Sequence, residues 1–218
     1  FGTGGMRGRT IGEFITKAER GIPLEFDAPQ HPAVGAATLN DFNIIRATIG
    51  LFHYCEQYLQ IKSPNDTAAK IVIAHDVRFF SKHLSDLVAS TWVQLGGHAE
   101  IFSGPRSTPQ LSFSVRYLGS TCGVVITASH NPPHDNGFKI YFDDGAQVVA
   151  PHDVGIIKCV DEVKLADVST YLNKELDRVV TLPLSLDQAY LDGLEENILD
   201  PGLFKKNKLP KSISYRQV

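Results

Sequence analysis

The sequence predicts an α/β fold: a three-layer domain with a mixed, mostly parallel sheet flanked by helices. Three observations carry that prediction. From residue 40 onward, short apolar runs such as KIVIA (70–74) and CGVVI (122–126) alternate with segments of helical period. Strand after helix after strand is the order of a parallel sheet with crossover helices. The Asp143-Asp144-Gly145 turn signal after Phe138–Phe142 then adds an antiparallel hairpin.

The elements follow in chain order. The first nine residues, FGTGGMRGR, are glycine-rich with two arginines and read as a loop. Residues 13–38, with Pro23, Pro29 and Pro32 and no sustained period, read as a loop insertion. Phe42, Ile45, Ile49, Phe52, Cys55 and Leu59 recur every three or four residues, one stripe of a helix of about five turns. Ser63-Pro64-Asn65-Asp66 ends it, and Lys70–Ala74 is a short buried strand followed by the polar turn His75–Arg78.

Ser81 is the expected N-cap of the next helix, whose stripe is Leu84, Leu87, Val88, Trp92 and Leu95, with Gly96-Gly97 as its stop. His98–Phe102 is a strand, and Thr108-Pro109 opens a helix to about Leu118. Strands Cys122–Thr127 and Phe138–Phe142 follow, then one or two helices over 151–176 and a helix over 184–199 ended by Pro201-Gly202. Residues 1–150 are expected to form the first domain, with a helical connecting segment at 151–183 after it.

Composition narrows the partners. Lys plus Arg number 21 against 24 for Asp plus Glu, a net charge of −3, which argues against a nucleic-acid or membrane-surface role. Cys55, Cys122 and Cys159 are far apart with no CxxC pair, so neither a zinc site nor a disulfide framework is indicated, and a cytoplasmic location is expected. The longest apolar stretches fall short of the ~20 residues a membrane span needs. Phe1 at one end and a strand-like SISYRQV at the other read as a piece of a longer protein.

The chemistry concentrates in TASHNPPHDNGFKIY, residues 127–141. Ser129 sits just past a strand end, where α/β sheets bind ligands. Pro132 and Pro133 restrict the backbone after it, so the serine is presented rather than buried. A hydrolytic triad is excluded on mechanics: no GxSxG elbow exists, and His130 is poorly placed to reach back to its own neighbour. Phosphoryl transfer suits these residues better, because it rests on positioning and charge neutralisation. Lys139 and His130 supply cations, the Asn131-Pro132 turn supplies N–H donors, and Arg7 among glycines 2, 4, 5 and 8 offers a second anion contact.

FGTGGMRG together with TASHNPPHDNGFK resembles the α-D-phosphohexomutase superfamily of phosphoglucomutases and phosphomannomutases. His75-Asp76-Val77-Arg78 with Ser81 resembles its xDxR…S segment, and Thr108-Pro109 its TP. The likeness covers about residues 1–150 and fits 184–218 to the start of the second domain. It implies that Ser129 is a phosphoserine donating to a sugar monophosphate (glucose or mannose) through a sugar bisphosphate, with Mg²⁺ bound partly by its phosphoryl oxygen. It implies catalytic roles for Ser129, His130, Lys139 and Arg7, and substrate or phosphate contacts from Thr3, Gly4, Arg7, Asn131, Lys139 and Arg78. Other sugar phosphates, a phosphopentose or phosphoglucosamine, and a non-catalytic binder of the same fold are the alternatives. The family's DGDxDR metal loop is not in this sequence, so the remaining domains are expected to complete the site. Asp143-Asp144-Gly145 imitates that loop but reads as a turn. Arg106 is a further phosphate candidate, and Arg78 is equally suited to a salt bridge with Asp76 or a neighbouring carboxylate, while His31, His53, His83, His98 and His152 are scattered without ligand spacing.

Overall fold

A computed structural model describes residues 5–11, 33, 35, 37–62, 68–197 and 199. The chain divides into two compact units, Phe1–Pro183 and Leu184–Val218. In the first, strands β1 (Met6–Arg9), β2 (Lys70–His75), β3 (His98–Ile101), β4 (Cys122–Ile126), β5 (Asp135–Phe142) and β6 (Val180–Thr181) form one sheet, ordered β1-β5-β4-β2-β3-β6. β2 runs parallel to β3 and β4, and β3 parallel to β6; β5 is antiparallel to both β4 and β1. The sheet is mixed and mostly parallel, as the run-and-period pattern predicts.

Helices α1 (Asp41–Lys62), α2 (Ser81–Gln94), α3 (Thr108–Tyr117), α4 (His152–Glu162) and α5 (Leu165–Val168) surround it. Every residue of β4 is buried, which explains why CGVVI carries no polar alternation. Val124, Ile126, Phe138, Ile140, Ile71 and Ile73 face α1 and α2 in one core, where Phe52 meets Trp92 edge-on at 5.0 Å. Each such fully buried side chain is worth roughly 1.5–3 kcal/mol. On the other face, α3 lies so close to β4 that a Cβ on Gly123 would meet Val115 Cγ2 at 2.5 Å. The second unit is described only through α6 (Ser185–Glu195), shorter than the helix expected over 184–199.

Several expectations change. Ser81 does not cap α2: it is the helix's first residue, the N-cap position is Phe80 in left-handed conformation (φ 62°), and the Ser81 hydroxyl instead donates to Asp76. α3 begins at Thr108 as expected, with Ser107 capping it by accepting from the Gln110 N–H. β5 begins three residues before Phe138, and residues 6–9 of the glycine-rich segment are an edge strand rather than a loop. Of the expected insertion, 13–32, 34 and 36 lie outside the described residues, as do Ser63–Asp66 and the helix stop Pro201-Gly202. Thr10 O accepts from the Ala33 N–H at 2.9 Å.

Residues 151–183 fold into the first unit. Arg46 Nε donates to Val160 O across the α1–α4 contact at 3.2 Å. There Gly50 lets the helices touch: a Cβ on it would stand 2.5 Å from Val160 Cα and 2.6 Å from Val160 N. Alanine raises helix propensity by about 1 kcal/mol over glycine. Here, however, the clash is with backbone that no rotamer change relieves. Gly50→Ala is therefore expected to lower the stability of the first unit by about 1–3 kcal/mol, the usual cost of overpacking. Urea unfolding of the chain checks this; a raised midpoint would show that propensity wins and the packing is looser than described.

Candidate active site

The carboxyl ends of β2 and β4 open side by side, with His75 in register with Ile126. The Ser129 loop rises from the second. Its backbone is strained: Ser129 has φ 60°, and among the described residues only Phe80 joins it as a non-glycine with positive φ. Such conformations cost of order 1–3 kcal/mol and persist only where their surroundings fix them. The Ser129 N–H donates to Thr127 Oγ1 at 3.0 Å, the Asn131 N–H to Ala128 O at 3.2 Å, and the Asn131 amide to Asp135 Oδ2 at 3.0 Å.

The main fixture is Arg78. Its Nη2 donates to Ser129 O and Asn131 O, both at 2.7 Å, and its Nη1 to Pro132 O at 2.8 Å and Asp135 O at 3.1 Å. Its Nε faces Asp76 Oδ2 at 3.4 Å. Asp76 Oδ1 in turn accepts from the Arg78 N–H at 2.8 Å and the Ser81 hydroxyl at 2.6 Å. Asn136, wholly buried, donates to Ser81 Oγ at 2.8 Å and to Phe79 O at 3.0 Å. The acceptors that occupy Arg78 are backbone carbonyls of the serine loop, together with Asp76.

Arg7 and Lys139 approach from the neighbouring strands. Arg7 lies opposite Gly137 on β5, and the Thr127 N–H bonds Gly137 O at 2.9 Å, so Arg7, Gly137 and Thr127 form one row across the sheet edge. Gly137 must be glycine: a Cβ there would strike Thr127 O and come within 3.3 Å of Arg7 Cγ. Gly5, at φ +81°, crosses β5 where a Cβ would sit 2.5 Å from Phe138 O. Lys139, two residues beyond Gly137, shares the face of Arg7. Burial first, then the Arg7 charge, lower the Lys139 pKa, and Asp76 partly opposes them. Two cations held together on a half-buried face make a place for an anion.

Ser129 Oγ lies 3.5 Å from His130 Nδ1, at the outer limit of a hydrogen bond and on the exposed side of the loop. The left-handed turn at Ser129 brings the neighbours closer than adjacency alone suggests. Thr3 and Gly4 lie outside the described residues. Arg106 donates to Pro105 O at 2.9 Å and stacks 5.5 Å over Phe102. Asp143 is held by Tyr58 and Lys62 at the hairpin end, and Gly145 closes that turn on Phe142 O at 2.8 Å. Thr127 and Asn136 escape the sequence reading, although both sit inside the serine motif.

A cavity of about 260 Å³ lies between α1 and the α4–α5 segment, lined by His53, Glu56, Cys159 and Asp167 among others, and holds none of the predicted residues. Among the described residues, no group of three or more His, Cys, Asp or Glu side chains can hold a metal ion. With Asp76 already committed, these residues do not by themselves fit Mg²⁺.

Comparison with known proteins places this geometry. Residues 32–167 match the family model described as phosphoglucomutase/phosphomannomutase, alpha/beta/alpha domain I. The chain is 38% identical over 135 residues to human phosphopentomutase, covering 59% of this chain and 21% of that protein. It is 34% identical over 164 residues to phosphoglucomutase of Staphylococcus saprophyticus, covering 75% of this chain and 25% of that one. The chain thus spans about a fifth to a quarter of these relatives' length. In fold it resembles a Thermus thermophilus protein assigned as a phosphomannomutase, at TM-score 0.63 and 24% identity over 91% of this chain and 36% of that one. The chain belongs to the phosphoglucomutase/phosphomannomutase family of the α-D-phosphohexomutase superfamily, and carries its domain I.

Proposed function

We propose that this chain is the phosphoserine-bearing part of a sugar-phosphate mutase that interconverts sugar 1-phosphate and 6-phosphate, glucose or mannose, through a bisphosphorylated sugar. The observation that carries the reading is an exposed serine in strained conformation on a clamped loop, on the sheet edge where Arg7 and Lys139 stand together. Ser129 Oγ carries the phosphoryl group, and transfer to a sugar hydroxyl breaks its bond to Oγ. The sugar's other phosphate later returns to the same oxygen. Lys139 and Arg7 neutralise phosphoryl charge, with Thr3 and Gly4 as further contacts. His130 exchanges the proton, and Asn131 braces the loop through Asp135.

Mg²⁺ is the proposed cofactor, supplying charge neutralisation at the phosphoryl oxygens, with one ligand from phosphorylated Ser129. Its carboxylate ligands are proposed to come from the rest of the protein. A pentose phosphate is the second reading, favoured because the 38% identical human relative is named a phosphopentomutase.

In the intact protein, Ser129→Ala is expected to lower turnover of glucose 1-phosphate, mannose 1-phosphate and ribose 1-phosphate alike by about 10³-fold or more. A coupled assay of each 6- or 5-phosphate product checks this and ranks the sugars; normal activity in the variant defeats the mechanism. The 218-residue chain alone is expected to show no turnover.

Lys139 gives a pH prediction. Its depressed pKa means the cation persists at low pH and is lost, as pH rises, earlier than for an ordinary lysine. Activity should therefore fall on the alkaline side. Lys139→Arg should flatten that limb because guanidinium keeps its proton, and Lys139→Met should raise KM about 10- to 100-fold. An unchanged alkaline limb in the arginine variant would remove Lys139 from the phosphate contact.

A further inference from the structure

We infer that Arg78 is a positioning residue for the phosphoryl-carrying serine, setting the Ser129 loop through its carbonyls and leaving substrate phosphate to other groups. The inference rests on the phosphoserine reading of Ser129. A guanidinium has five N–H donors. Here five acceptors face them: the carbonyls of Ser129, Asn131, Pro132 and Asp135, and Asp76 Oδ2. Only 13% of the side chain is exposed, so no donor remains for a ligand.

The arrangement is specific to arginine. Its planar fork reaches four carbonyls spread over residues 129–135, whereas a lysine ammonium is a point charge that cannot span them. The network behind it is also committed. Asp76 orients Arg78 from the end of β2, Ser81 orients Asp76 from the start of α2, and buried Asn136 orients Ser81 from β5. Ser129, with its positive φ, lies at one end of this chain of contacts. Backbone strain at Ser129 is thereby balanced by hydrogen bonds to a charged group. Releasing them lets the serine relax away from its line of transfer, and misplacement on the 1 Å scale costs about 100-fold in rate.

The test is steady-state kinetics on the intact protein with the sugar phosphate that it turns over fastest. Arg78→Lys keeps the charge and the Asp76 partner. It is expected to lower kcat by about 100-fold with KM little changed. Ser81→Ala, which loosens Asp76 and frees one Asn136 amide bond but removes no bond to a loop carbonyl, should give the same split at smaller size. Thermal melts, run alongside, separate folding from positioning; if Arg78→Lys does not fold, the Ser81→Ala split decides. A rise in KM with kcat retained would make Arg78 a substrate contact and overturn the inference, as would unchanged kinetics in both variants. A wild-type protein inactive on every sugar phosphate, or an active Ser129→Ala variant, would instead strike the phosphoserine reading itself.

Discussion

One guanidinium holds the active edge of this fold together. Arg78 comes from the turn after β2, yet its hydrogen bonds go to the loop after β4. Two adjacent parallel strands would otherwise end in independent loops. The Arg78 contacts make those loops one object, and Asp76 and Ser81 extend it into α2. Because charge-assisted bonds to the loop carbonyls are strong and directional, the loop can keep a serine at φ 60° that would relax in isolation.

The rest of the sheet supplies the frame. β4 is buried along its whole length, so its carboxyl end cannot drift relative to β2 and β5. Gly137 and Gly5 allow the amino-terminal edge strand and its arginine to close over β5 without side-chain obstruction. The cost is a like-charge pair, Arg7 beside half-buried Lys139, only partly relieved by Asp76. An unliganded surface gains nothing from that repulsion. A phosphate between them would convert it into attraction, which is the physical argument for an anion at this edge.

Much of the architecture was legible in the residues. The apolar runs of β2 and β4 and the three-and-four spacing of α1 encode burial directly, so these elements stand close to where the pattern puts them. β1 and β6 carry no such signal: one is four residues with a glycine, the other two residues, and each pairs at a sheet edge supplied by distant chain. Ser81 looks like a cap because caps and acid partners use the same hydroxyl; only the neighbouring Asp76 decides between them. The serine motif stands out through its residue types, and its fold family follows from them. Arg78 could not announce its role, because four of its partners are backbone carbonyls, which every residue has.

The central claim is that Ser129 carries a phosphoryl group. It is tested most directly by incubating the intact protein with glucose 1,6-bisphosphate, then mapping its peptides by mass spectrometry. The peptide spanning residues 127–141 should gain the mass of one phosphoryl group, with fragmentation placing it on Ser129. Phosphate found on another residue, or none on this peptide in a protein that turns over sugar phosphate, would contradict it.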